Sequence, residues 1–252
     1  SPCYVTSRHP VTDFVLDAPV HAAVPLAEPQ VVDAMRGTAA WRLVAEGDEA
    51  FGNYCLYWPM VKGDIAIGET ADAQADGKAA GIRLTLRPQP GVRDIVGRYA
   101  VLEPVDGPRP ITGRPDTLGV WVNGNSGWGR IYFEFTDARG QRWLSNRSEG
   151  VDWDFSDWEG ETSINHDGWR FVSLPLPACY ASGYYKPSMR HWRCIGKDGA
   201  TVESKTAEPV WPIALSRLYV LMREKLVYVT EMTPPASPSI ELRDITAGTR
   251  RD

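Results

Sequence analysis

The sequence predicts an all-β protein, an antiparallel two-sheet β-sandwich with long loop insertions. Three observations point there. Short segments with period-two alternation of apolar and polar residues recur along the chain. Twenty Pro and 23 Gly punctuate them, which suits many turns and long loops rather than helices. No long amphipathic helical pattern and no internal repeat is legible.

The segments follow in order. Residues 1–40 hold short runs broken by Pro10, Pro19, Pro25 and Pro29, with room for a helical turn or two over 33–40. Residues 41–45 read as a strand, 52–61 are aromatic-rich, and 68–81 read as an exposed loop rich in Ala, Asp and Gly. Residues 81–87 set Ile82, Leu84 and Leu86 against Arg83, Thr85 and Arg87. After a turn, 98–104 form another strand, and the Pro/Gly loop 107–115 leads on to Trp121. Residues 136–140 make a hairpin turn, because Asp137 supplies a local hydrogen bond and Gly140 a positive φ. Residues 141–144 return, 152–161 form an acidic Trp-bearing loop, and 169–176 are a strand. Residues 177–212 are expected as a long aromatic connection, and the last strands as 215–222, 226–232 and 239–245.

Side chains alternate across a strand, and segments of the second half sort into unlike faces. Leu118, Val120 and Val122 oppose Trp121 and Asn123; Ile131, Phe133 and Phe135 oppose Arg130, Tyr132 and Glu134; Leu218, Val220 and Met222 oppose Arg217 and Tyr219. The first sets are a dry core. The second sets mix aromatics with charged and amide groups, which is how a sugar-gripping surface is composed. A sheet with one ordinary solvated face has the same alternation.

A net charge of −5 argues against a nucleic-acid partner, which calls for a basic patch. No stretch approaches the roughly 18–20 apolar residues of a membrane-spanning helix, so no membrane partner is expected. The start at Ser1 without Met reads as a processed or excised end. Cys3, Cys55, Cys179 and Cys194 allow three pairings. Cys179 and Cys194 bracket a Pro- and aromatic-containing loop, which favours that bridge and leaves Cys3 with Cys55; four buried thiols are the alternative. Bridges would place the protein in an oxidising compartment, secreted, periplasmic or at the cell surface. The spacing does not match zinc ligands. Asn146-Arg147-Ser148 is a glycosylation sequon, meaningful in a eukaryotic secretory setting.

The run Leu118-Gly119-Val120-Trp121-Val122-Asn123-Gly124, then 130–135 and the turn 136–141, resembles the central hairpin of galactose-binding-like jelly rolls of the carbohydrate-binding-module type. Asp167-Gly168-Trp169-Arg170-Phe171-Val172 before Leu174-Pro175-Leu176-Pro177 is similar to a later strand of that family, and Leu218-Tyr219-Val220 with 239–245 resembles its closing strands. The resemblance covers residues 81–246; residues 1–80 match no known pattern. It implies a jelly-roll topology and a module that binds polysaccharide or oligosaccharide, attached to a glycan-degrading enzyme. It also implies a structural calcium, with Asp244 at the position of a last-strand acid and Asp13 or Asp17 supplying N-terminal ligands. Arg243 stands where the family has a second acid, and the insertion 177–212 is longer than the family's linker.

Two sets of residues offer the flat rings and hydroxyl partners that sugars need. The sheet-face set is Trp121, Asn123, Arg130, Tyr132, Glu134, Arg217 and Tyr219; the loop set is Trp128, Trp153, Trp158, Tyr184, Tyr185 and Trp192. Trp169 is read as core. Arg130, Arg170, Arg217 and Lys186 would suit an acidic or sulfated glycan. A glycoside hydrolase would use paired carboxylates from Asp152, Asp154, Asp157, Glu159 and Glu161. A polysaccharide lyase would use Tyr184, Tyr185, Lys186 and His191. The expectation is non-catalytic binding of a polysaccharide, with catalysis and a purely structural module as the alternatives.

Overall fold

The alternating apolar residues close a core between two sheets. The computed structural model describes residues 24–44, 60–70, 81–87, 97–125, 127, 129–145, 163–176, 192–195, 201–202, 208–223 and 238–250. Among these, the strands are β1 (Leu26–Asp33), β2 (Trp41–Leu43), β3 (Met60–Lys62), β4 (Ile65–Glu69), β5 (Ile82–Leu86), β6 (Gly97–Pro104), β7 (Arg109–Ile111), β8 (Thr117–Asn125), β9 (Gly129–Thr136), β10 (Arg142–Leu144), β11 (Ser163–Ile164), β12 (Asp167–Pro175), β13 (Arg193–Ile195), β14 (Thr201–Val202), β15 (Ile213–Arg223) and β16 (Ser239–Arg250). One 3-10 turn, Thr38–Ala40, stands where a helical turn or two was expected.

The protein is a two-sheet β-sandwich, as the alternation predicts. The six-stranded sheet runs β12-β8-β16-β5-β4, with β1 on β16 beyond the end of β5. The ten-stranded sheet runs β14-β13-β10-β9-β15-β6-β2, with β11 on β9, β3 on β6 and β7 on β15. Every pairing is antiparallel except β3 with β6. The three expected core sets, Leu118/Val120/Val122, Ile131/Phe133/Phe135 and Leu218/Val220/Met222, meet between the sheets with Ile82, Leu84, Leu86, Leu242 and Ile245.

Four features depart from expectation. First, β8 and β9 are not a hairpin: the chain changes sheets between them, since β8 pairs β12 and β16 while β9 pairs β10, β11 and β15. Second, the stretch 177–212 carries strands β13 and β14, which extend the ten-stranded sheet past β10. Third, Cys194 on β13 is a free thiol buried in the core, so the Cys179–Cys194 bridge is not formed. Burial, with the charge of Asp137, pushes that thiol's pKa up, which keeps it protonated and unreactive. Fourth, β1 forms despite Pro25 and Pro29. It is an edge strand with a register shift between Ala27 and Gln30, and Pro is tolerated at edges and bulges because no ladder N–H is lost there.

Two carboxylates pin the ends of strands. Asp33 Oδ1 accepts from the Met35 amide at 2.6 Å and the Trp41 indole at 3.2 Å, while Oδ2 accepts from Arg109 Nε at 2.6 Å. This ties β1, β2 and β7 together and holds Met35 at a φ of 51°. Asp137, in the β9–β10 turn, accepts through Oδ1 from the amides of Arg139 and Gln141, both at 2.9 Å. Its Oδ2 accepts from the Val210 amide at 3.2 Å and the Trp143 indole at 3.4 Å. Burial works against the Asp137 charge, but the amides of Gln141, Val210 and Arg139 and the Trp143 indole outweigh it and hold the carboxyl below the usual range.

Candidate functional site

The change of sheet between β8 and β9 divides the expected sheet-face set. Trp121 and Asn123 lie on the outer face of the six-stranded sheet, while Arg130, Tyr132, Glu134, Arg217 and Tyr219 lie on the outer face of the ten-stranded sheet. These faces point away from each other across the core.

The ten-stranded face is closed. Tyr132, Tyr219, Tyr99, Val101, Leu144, Ile195 and Leu221 form a second buried apolar cluster there. Glu134 and Tyr219 are each 1% exposed. Arg142 grips Glu134 with both prongs, Nε to Oε1 at 3.0 Å and Nη2 to Oε2 at 2.7 Å. The Tyr219 hydroxyl donates to Oε2 at 2.6 Å and Ser216 Oγ to Oε1 at 3.1 Å. Burial, and then the Glu134 charge beside it, push the Tyr219 pKa up; the hydrogen bond to Glu134 pushes the Arg142 pKa up. Next to this cluster, Glu103 takes Arg217 Nε at 3.0 Å and Arg42 Nη2 at 2.6 Å. The Arg42 hydrogen bond outweighs burial and, with Arg217, holds the Glu103 carboxyl low. Glu134, Tyr132 and Tyr219 are therefore structural, and Arg217 is committed to Glu103. Arg130 is half-buried beside Leu221 on the same face.

The six-stranded face is partly open. Cross-strand pairing sets out two rows on it. One runs Trp169, Asn123, Glu241, Arg83, from β12 through β8 and β16 to β5. The next runs Phe171, Trp121, Arg243. The second row is shut: Trp121 is 8% exposed, packs edge-on to Phe171 at 5.6 Å, and sits with Leu26 and Val24. Gly119 makes this possible, since a Cβ there would stand 2.5 Å from the Phe171 ring. The expected role of Trp121 as a ligand platform is corrected to packing.

The first row reaches solvent. The Arg243 guanidinium carbon lies 4.4 Å from the centroid of the Trp169 ring, so the indole lies against the cation. Arg243 is buried and Trp169 half-buried, so part of the indole stays open to solvent. Glu241 bridges its neighbours: Arg83 Nε and Nη2 donate to Oε1 at 3.0 and 2.6 Å, and Asn123 Nδ2 donates to Oε2 at 3.0 Å. Asn123 and Arg83 are themselves half-buried, so both reach solvent beside Glu241. Beyond them Asn125 pairs across the strands with exposed Asp167. Strands about 4.8 Å apart make this row about 14 Å long, the reach of a short oligosaccharide.

Trp169 was expected in the core, and it is the half-open ring of this face. The strand carried a signal: Val172, Leu174 and Leu176 are its strictly apolar phase and all are buried, which puts Trp169 and Phe171 on the other side. Trp192, expected on a loop, is 2% exposed in the core, 4.9 Å from the Phe135 ring, and donates to the Pro175 carbonyl at 2.8 Å. Trp128, Trp153, Trp158, Tyr184, Tyr185, Lys186 and His191 lie outside the described residues, as do the acidic loop 152–161 and the sequon at 146–148.

Asp244 sits at a φ of 46° in the bulge of β16, where the register with β8 shifts between Arg243 and Thr246. Among the described residues no group of three or more His, Cys, Asp or Glu side chains gathers to hold a metal. Asp13 and Asp17, expected as its calcium partners, lie outside the described residues. A lone carboxylate is too few oxygens for calcium, so Asp244 by itself does not make the site.

No protein-family model matches the chain, and no curated protein matches it. Among solved structures it is similar to the family 11 carbohydrate-binding module of the cellulosomal cellulase Lic26A-Cel5E of Clostridium thermocellum, at 8% identity and a TM-score of 0.39, over 91% of this chain and 99% of that one. A TM-score this low carries neither residues nor a function across.

Proposed function

We propose that this β-sandwich binds a polysaccharide segment on the outer face of its six-stranded sheet and does not cleave it. The observation that carries the reading is Trp169, half-open and laid against Arg243, next to the row Asn123, Glu241 and Arg83. A pyranose ring offers apolar C–H faces to an aromatic plane and hydroxyls at its rim. Here the plane is backed by a buried cation and the hydroxyl partners stand one strand away. Glu241 is held by Arg83 and Asn123, so it serves as a fixed acceptor rather than a free acid or base. A module of this kind works as part of, or companion to, a glycan-degrading enzyme, in a secreted or surface setting.

The test is a panel of plant, algal and host polysaccharides in affinity gels, run with product release in parallel. The wild type should be retarded by at least one polysaccharide without releasing products. Trp169→Ala should run as if no polysaccharide were present. Products, or retardation that survives Trp169→Ala, would overturn the reading.

A further inference from the structure

At one end of the sandwich, away from the Trp169 row, a cavity of about 300 Å³ is lined by Arg114, Glu208, Pro209, Val210 and Trp211. Arg114 follows β7 and the other four precede β15. The backbone here is pinned. The Val210 amide donates to Asp137 Oδ2, the Val210 carbonyl accepts from Ala138 at 2.8 Å, and the Glu208 carbonyl accepts from Arg139 Nη2 at 3.0 Å. Two residues after Arg114, the Asp116 amide donates to the Gly248 carbonyl at 3.1 Å, and its carbonyl accepts from the Leu176 amide at 2.7 Å. Trp211 packs its inner side on the core and Val210 is 41% exposed.

The side chains of this cavity contrast with its backbone. Two ion pairs of the sheet faces run across strands, Glu134 with Arg142 and Glu241 with Arg83. Among the described residues, the Arg114 guanidinium, the Glu208 carboxylate and the Trp211 indole N–H make no hydrogen bond or ion pair. An exposed guanidinium and an exposed carboxylate thus line one cavity with an indole, on a backbone held by hydrogen bonds, and both are free to turn to a ligand.

We infer that this cavity is a second binding site, for a single sugar ring that bears a carboxylate. The guanidinium fork matches a planar carboxylate with two parallel hydrogen bonds. Trp211 and Val210 supply the apolar floor for the ring. Glu208 accepts from hydroxyls and repels a carboxylate, so the ring is admitted in one orientation, acid toward Arg114. The volume is at the bottom of the range of roughly 300–1,000 Å³ for small-molecule pockets, room for one ring rather than a chain. The inference rests on the carbohydrate reading for its ligand class, but it uses none of the residues of the Trp169 face.

The experiment is a chemical-shift titration of the labelled protein with methyl glucuronide, methyl glucoside and acetate. Methyl glucuronide should shift the Trp211 indole resonance, and the other two should bind at least tenfold more weakly. Arg114→Gln, a change at an exposed side chain with no protein partner, should keep the wild-type melting temperature and lose glucuronide affinity by tenfold or more. Trp169→Ala should leave glucuronide binding as it was. Equal binding of glucuronide and glucoside, equal binding of acetate, or an unchanged affinity in Arg114→Gln would overturn the inference. Polysaccharide retardation that is lost in Trp169→Ala but kept in Arg114→Gln, with no glucuronide binding, would sink this site alone. Glucuronide binding with no polysaccharide retarded would sink the Trp169 reading alone.

Discussion

On the outer face of the ten-stranded sheet, Glu134 takes four side-chain donations, two of them from Arg142, and Tyr219 lies beneath with its hydroxyl on the same carboxylate. On the outer face of the six-stranded sheet, Glu241 is gripped by Arg83 and Asn123, but the neighbouring aromatic ring donates nothing to it and stays half-open. The two faces use the same residue types: carboxylate, arginine and a large aromatic. What separates them is whether the aromatic is consumed by the polar network. A tyrosine can close such a network by donating to the carboxylate. The Trp169 ring instead rests on a cation, Arg243, and stays half-open. Aromatic-polar composition alone therefore does not mark a binding face.

The largest effect should come from breaking the closed face. Glu134→Gln removes the charge that Arg142 and Tyr219 are built around. Removing one partner of a buried pair costs about 3–5 kcal/mol. Urea unfolding should show a loss of that size, with polysaccharide retardation of the folded protein unchanged. A loss under about 1 kcal/mol would mean that the network is not what closes this face.

Gly119→Ala should come next, at roughly 1–3 kcal/mol. Its Cβ would collide with the Phe171 ring and with Ser173 Cβ, 2.8 Å away, and so force Phe171 off Trp121. This change sharpens the comparison, because it loosens the shut row of the six-stranded face without touching Asn123 or Glu241. Binding should weaken through displacement of Trp169, the neighbour of Phe171 on β12. Unaltered stability would show that the shut row has slack.

Trp169→Ala should cost little stability, about 1 kcal/mol for the lost cation–π contact and packing. Its effect falls on binding, at least tenfold in affinity, or about 1.4 kcal/mol. The ratio of the two losses is the comparison in one variant: on the closed face stability falls and binding holds, and on the open face the reverse.

Alternation is a local property, and it is what the sequence carried well. Leu118, Val120 and Val122 were placed in the core from their phase alone, and so were Ile131, Phe133 and Phe135. Phase assigns a residue to one side of its own strand but does not say which sheet the strand joins. Trp121 and Tyr132 share an outward phase and end on opposite faces of the molecule, because β8 and β9 join different sheets. Trp169 was misplaced because both phases of its strand are apolar near Phe171, and the deciding residues, Leu174 and Leu176, lie further along. The strand β1 was hidden by Pro29, which reads as a breaker until the edge and its register shift are known. The Arg114 cavity joins two segments about a hundred residues apart, and no periodicity relates them.

The smallest effect expected is a pH dependence at the margin of the open face. His166 precedes Asp167 at the start of β12, and its Nε2 lies 3.2 Å from the Val122 carbonyl, so the neutral ring donates there. Its Nδ1 is buried with no hydrogen-bond partner among the described residues. Burial lowers the pKa; the Val122 hydrogen bond and Asp167 oppose this, and Arg170 adds to it. A lowered histidine pKa means that the unfolded chain binds the proton first as the pH drops. Stability from this group is therefore complete above the ordinary value of 6.5 and declines as the pH falls from there toward the folded pKa. Asp137 acts in a separate and more acidic window, because its carboxyl is held below 3.8. Its contribution is present above that value and is lost as the pH falls through the folded pKa. The two windows can be told apart in one series of melts. His166→Gln should flatten the stability curve just below about pH 6.5 and leave the steeper acid fall intact, while Asp137→Asn should do the opposite. A wild-type curve already flat through pH 6 would mean that the Nδ1 site accepts a proton without penalty, and the margin of the open face would then be wetter than its burial implies.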